Sequence, residues 1–220
     1  MHRFFAQLGA IGLLTAALQA QAQNLPGTYQ VEGRDFDGKA YTGQLRIAAA
    51  GPVFRLTYSD NRTMRGMGIQ RGNQLFTAWG PNDKCTVSAL EIKADGSMEG
   101  PWADLGHAAL GTEALRKQAG APGQVDGTYA SVGRTPDGQA YDGITTLETR
   151  GQVFRVTYKD SDGTQTGVAV RQGQSLGVAY GGNRCGVSVY TIGSDGVLSG
   201  PYADPRDQRL GLETIRPVGR

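Results

Sequence analysis

The sequence predicts an all-β protein: two tandem eight-stranded antiparallel up-and-down barrels related by internal duplication. Three observations lead there. The chain repeats itself at an offset of about 100 residues, with "PGTYQVEGRDFDGKAYTG" answered by "DGTYASVGRTPDGQAYDG", "GPVFRLTY" by "GQVFRVTY" and "CTVSALEIKADGSMEGPWAD" by "CGVSVYTIGSDGVLSGPYAD". Turn residues recur roughly every ten positions and leave short alternating runs between them, which suits antiparallel strands rather than helices. Glycine is abundant, 34 of 220 residues, yet Val, Ile, Leu, Tyr and Phe recur between the glycines, so the composition fits strands and tight turns, not disorder.

Taken in order, the N-terminal "MHRFFAQLGAIGLLTAALQAQAQ" sets Arg3 before an apolar run from Phe4 to Leu18 and closes on Ala20-Gln21-Ala22. This is the layout of a secretory signal peptide over residues 1–22. The run contains Gln7 and Thr15 and falls short of the roughly 20 apolar residues of a membrane span. The expected location is periplasmic or secreted, with no membrane association after cleavage. The first repeat, residues 23–118, has strand-forming runs around Tyr29 and over 41–47, 53–58, 64–69, 75–79, 86–92, 98–103 and 110–116. "KQAGAPGQ", small and polar, reads as a linker over 119–124, and residues 125–220 repeat the pattern as a second barrel. Phe54, Leu56 and Tyr58 alternate with Arg55 and Thr57, so one face of that run is buried. The pairs Asp37-Gly38, Asp95-Gly96, Asp137-Gly138, Asp162-Gly163 and Asp195-Gly196 favour type I′ hairpin turns.

Eight short strands joined by hairpins are enough to close a small barrel, and closure leaves no exposed sheet edge. Glycines that interrupt apolar runs in pairs (Gly43 and Gly143, Gly66 and Gly167, Gly100 and Gly200) suit the bends of barrel corners. Gly27-Thr28-Tyr29 and Gly127-Thr128-Tyr129 stand where lipocalins carry Gly-x-Trp, and Arg116 and Arg216 stand where lipocalins place an arginine on the last strand. On these residues each repeat resembles a minimal calycin-type barrel of the lipocalin and avidin sort. The pattern G-T-Y, D-G-x-x-Y-x-G and G-x-E-x-[LI]-R also resembles exported bacterial proteins of unknown role, loosely labelled fibronectin-binding. The lipocalin resemblance implies that Arg116 and Arg216 cover Tyr29 and Tyr129 across the seam between first and last strands, a cation–π contact on the order of 1 kcal/mol.

Charge and motifs narrow the function classes. Lys plus Arg number 22 against 20 Asp plus Glu, too even a balance to create the field of a nucleic-acid-binding surface. "GQSLG", Gly173–Gly177, matches a nucleophile elbow but has no histidine after Ser175, and "DSDGT", Asp160–Thr164, lacks the later acidic ligand of a calcium loop. His107 has Asp207 as its twin and reads as a solvated loop residue. No catalytic set, metal site or cofactor is therefore expected. The candidate ligand-binding residues are aromatic and charged positions kept in both repeats: Arg34, Tyr41, Tyr58, Trp79, Trp102, Asp104 and Glu113 in the first, Arg134, Tyr141, Tyr158, Tyr180, Tyr202, Asp204 and Glu213 in the second. Two readings stay open for the aromatics, a filled core and a pocket at a barrel mouth. Two also stay open for Glu113 and Glu213, a rim residue paired with Arg55 or Arg155 and a polar anchor inside a cavity.

Cys85 and Cys185 occupy equivalent positions. Each shares a strand face with Val87 or Val187, and equivalent points on two barrels approach within bonding reach only beside the axis that relates them, so two unpaired buried thiols are expected. The function expected is that of an exported non-catalytic binding protein for a small or extended ligand or a protein partner. The alternatives are a structural protein of the cell envelope with filled barrels and an enzyme that uses a carboxylate and a tyrosine.

Overall fold

The computed structural model describes residues 24–60, 63–80 and 84–219; the segment read as a signal peptide lies outside them. Strands β1 (Gly27–Arg34), β2 (Ala40–Ala50), β3 (Val53–Ser59), β4 (Thr63–Arg71) and β5 (Gln74–Gly80) form an antiparallel meander. The chain then crosses to a second meander, β6 (Thr86–Ile92), β7 (Met98–Asp104), β8 (Gly111–Ala119), β9 (Gly127–Arg134), β10 (Ala140–Arg150), β11 (Val153–Lys159), β12 (Thr164–Gln172) and β13 (Ser175–Tyr180), which closes when β13 pairs with β6. It crosses back through a short 3-10 turn, Gly182–Arg184, into β14 (Gly186–Ile192), β15 (Leu198–Ala203) and β16 (Gly211–Pro217). There β14 pairs with β5 and β16 with β1, which closes the first barrel.

Two closed eight-stranded antiparallel barrels are present, as expected, but they do not coincide with the two repeats. The outer barrel takes β1–β5 from the first repeat and β14–β16 from the second, and the inner barrel is the continuous run β6–β13 inserted between them. The assignment of 23–118 and 125–220 to one barrel each is corrected accordingly. So is the linker at 119–124: it joins β8 to β9, which are paired neighbours within the inner barrel. The physical reason is the duplication itself. Thr77 on β5 faces Ser188 on β14, where a barrel confined to the first repeat would give it Ser88; Ser88 instead faces Val178 on β13. Because Ser88 and Ser188 stand in matching contexts, either pairing makes nearly the same contacts, and no local signal separates them.

The exchange also accounts for the cysteines. Both crossovers, one into β6 and one into β14, pass the same place between the barrels, and Cys85 and Cys185 lie one residue before those strands with Cα atoms 5.6 Å apart. They form a disulfide, which corrects the expectation of two free thiols. The face they share with Val87 and Val187 is the inter-barrel face. Phe76, Ala78, Val168, Val170 and Val189 pack there with both cysteines in one continuous apolar cluster. Strands at this junction are buried on both sides, whereas β3 keeps the alternation expected of a strand with one face in water.

Inside each barrel a second apolar cluster fills the end marked by Tyr29 or Tyr129, whose hydroxyls donate to the carbonyls of Leu25 and Val125 at 2.6 Å. Arg116 and Arg216 do not cover these rings. Glu113 and Leu115 point inward, so Arg116, between inward positions, is left on the exposed outer surface, and Tyr29 belongs to the other barrel. Arg216 lies on the outer surface 4.0 Å from Glu32, and the cation over Tyr129 is Lys117, at 5.6 Å from the ring centre. The Asp-Gly hairpins also differ from expectation. No described non-glycine residue has positive φ, so the type I′ form is absent. At β1–β2 the Gly38 N–H donates to Asp35 O, Asp35 N–H donates to Lys39 O, and Gly38 alone takes φ 79°, a type I turn followed by a one-residue bulge.

Candidate ligand pocket

The outer barrel is packed solid at one end and open at the other. Between Leu45, Ile47, Leu56, Leu75, Leu198 and Ile215 at the closed end and the solvent lies a pocket of about 350 Å³. Its described lining residues include Phe36, Tyr41, Tyr58, Trp79 and Tyr202, with Glu213, Asp35 and Asp60, and none of them is Lys, Arg or His. The rings are angled to one another rather than stacked. Tyr202 meets Phe36 at 5.2 Å, Trp79 at 6.1 Å and Tyr41 at 6.4 Å between centres, the last pair nearly perpendicular. Gly33 makes part of this arrangement possible, because a Cβ there would sit 2.2 Å from the Tyr41 ring that crosses β1.

Glu213 enters from β16, on the inward face that also carries Ile215. Tyr41 donates its hydroxyl to Glu213 Oε1 at 2.6 Å, and Tyr190 donates to Oε2. Burial pushes the Glu213 carboxyl above the usual carboxylate range, and the two tyrosine hydrogen bonds oppose that shift. The same burial, reinforced by the Glu213 charge, raises Tyr41 and Tyr190, so both remain protonated donors; Tyr202 is pushed up to about 12. Trp79 Nε1 donates to Ser188 Oγ at 3.1 Å, which fixes the indole at the wall. Tyr58 is 8% exposed, and its hydroxyl is shut off from solvent beside the Tyr190 and Thr77 hydroxyls; like Thr77 Oγ1, it meets no partner within strict hydrogen-bond geometry.

The inner barrel assembles the matching residues without copying the chemistry. Trp102, Tyr141, Tyr158 and Tyr180 form a chain of edge-to-face contacts at 6.2, 6.3 and 6.4 Å. Trp102 Nε1 donates to Arg134 O, Tyr141 to Thr112 O and Tyr158 to Asp142 O. Glu113, 6% exposed, accepts from Ser88 Oγ at 3.1 Å, and burial pushes its carboxyl up to about 7. Leu90 stands where the outer barrel has Tyr190, and Ser131 and Thr145 are hydrogen-bonded to each other at 2.7 Å.

Of the residues expected to bind ligand, Tyr41, Tyr58, Trp79, Tyr202 and Glu213 thus share one pocket, drawn from both repeats. Trp102, Glu113, Tyr141, Tyr158 and Tyr180 belong to the inner barrel. Glu113 is buried in the inner barrel and Glu213 lines the outer-barrel pocket; the pairing with Arg55 does not occur, since that guanidinium donates to Leu105 O. Arg34 and Arg134 lie outside the pocket and donate to Gly38 O and Gly138 O across their own hairpins. Asp104 and Asp204 hold loops, Asp104 by accepting from the backbone N–H groups of Gly106 and His107 and facing the His107 ring at 2.9 Å, Asp204 by an ion pair with Arg206. Residues missed from sequence are Asp35, Phe36 and Tyr190. Their twins are Thr135, Pro136 and Leu90, so a search for positions kept in both repeats passes over them. Among the described residues no group of His, Cys, Asp and Glu is arranged to hold a metal, and no helix is long and apolar enough to cross a membrane. In comparisons with protein-family models, curated proteins and solved structures, nothing matches this chain.

Proposed function

We propose that the protein is an exported binding protein that takes a small molecule into the open end of its outer barrel. The observation that carries this reading is the pocket itself, about 350 Å³ at the open end of the barrel, walled by Phe36, Tyr41, Tyr58, Trp79 and Tyr202 with the Glu213 carboxyl among them. The pocket volume falls at the small end of the range for ligand sites, about 300–1,000 Å³, with apolar walls and few polar anchors as such sites have. The calycin-like architecture supports the same location, because a filled lower end and an aromatic mouth leave one entrance.

The test is a screen of small molecules against the mature protein, with the Trp79 indole N–H resonance as reporter. Hits should shift that resonance and raise the melting temperature, and Trp79→Leu should weaken them by about tenfold or more, the factor that corresponds to 1.4 kcal/mol. Hits that perturb only outer-surface residues, or a library that leaves the Trp79 signal unmoved, would contradict the reading.

A further inference from the structure

Glu213 is a carboxyl that lines the pocket with no cation beside it among the described residues. The groups that face it from β2, β3, β14 and β15 are Tyr41, Tyr58, Tyr190 and Tyr202, all neutral. Buried carboxylates are ordinarily paired with a positive charge, and two tyrosine hydrogen bonds satisfy the oxygens without neutralising them. The space next to the carboxyl is walled by aromatic rings set at steep angles to one another, and aromatic side chains attract a cation over their faces. Asp35, at the rim, adds a carboxylate whose Oδ1 is fixed by the backbone N–H groups of Asp37 and Lys39. Unlike a cluster of surface acids, Glu213 lines a walled cavity of about 350 Å³ and lies 2.6 Å from the Tyr41 hydroxyl in its wall.

We infer that the outer-barrel pocket binds a small organic ammonium ion, with its cationic head between the rings of Tyr41, Trp79 and Tyr202 and against Glu213. This rests on the proposal that the pocket binds a small molecule, and it names the class. Each feature then has a role. The rings and carboxyl recognise charge, and the enclosed size limits the head group. An anion is disfavoured by the same carboxyls, and a purely apolar molecule leaves Glu213 uncompensated.

The experiment compares charged probes with uncharged isosteres by NMR titration of the mature protein: choline against its carbon isostere, in which a tert-butyl group replaces the trimethylammonium, and n-butylammonium against n-butanol. At least one ammonium probe should shift the Trp79 indole resonance with an affinity at least about tenfold above its isostere, since a desolvated cation–π contact is worth roughly 2 kcal/mol. Glu213→Gln should remove most of that preference. If the isosteres bind as well as the ammonium ions, the charge inference falls and the small-molecule reading stands. If neither ammonium probe moves Trp79 at about 10 mM, roughly ten times a millimolar Kd, the inference is overturned, and the library screen then decides the broader reading.

Discussion

At the scale of single residues, burial rather than pairing sets the behaviour of the two interior glutamates. Glu113 is held up to about 7 in the folded chain against an ordinary 4.5, chiefly by desolvation, so the folded state keeps a proton that the unfolded chain has released between those values. Stability is therefore greatest below about pH 4.5, falls as pH rises towards 7, and levels off above it, by an amount on the order of 3 kcal/mol from this group alone. Glu213 shifts in the same direction. Glu113→Gln imitates the protonated side chain and should be more stable than the parent at about pH 8, with the difference shrinking towards about pH 4.5. Urea midpoints measured across that interval check the sign; identical midpoints for parent and variant at the alkaline end would show that Glu113 is not held protonated by the fold. The candidate glutamates were legible in the sequence because each repeats beside an apolar residue, Leu115 or Ile215, on one strand face. What differs between the repeats was not. Tyr190 and Asp35, which shape the pocket, have apolar or uncharged twins, and the comparison of copies that revealed the fold concealed them.

At the scale of elements, the crossovers between barrels are where the account departs most from local pattern. Turn spacing was enough to place every strand within a few residues, since Gly and Asp mark each hairpin and the outward-facing strands alternate cleanly. β4, β5 and β6 carry apolar residues on both faces because one face lines a barrel and the other the inter-barrel core, a sign of a partner sheet that does not name the partner. The disulfide ties the two crossovers and spans a sequence separation of 100 residues that encloses the inner barrel. In the chain-entropy picture such a loop contributes about 4–5 kcal/mol. Unfolded, unreduced protein should take up no thiol label and two labels after reduction, and replacing both cysteines with serine should lower stability by roughly 2–5 kcal/mol without loss of either barrel. Two labels before reduction would mean that the crossovers do not meet.

At the scale of the whole molecule, the number and kind of barrels follow from duplication and strand count, but their connectivity does not. Two similar repeats can close separately or pass strands across, and most pairwise contacts are chemically matched in the two outcomes. The function depends on which occurs, because only the crossed arrangement brings Tyr202 and Glu213 of the second repeat to Tyr41, Tyr58 and Trp79 of the first. The pairing of β5 decides it. In uniformly labelled protein, cross-strand nuclear Overhauser contacts from Thr77 should reach Ser188, and those from Val178 should reach Ser88. Contacts from Thr77 to Ser88 and from Val178 to Ser188 would instead place each barrel within one repeat, and would contradict both the inserted-barrel architecture and the composite pocket built on it.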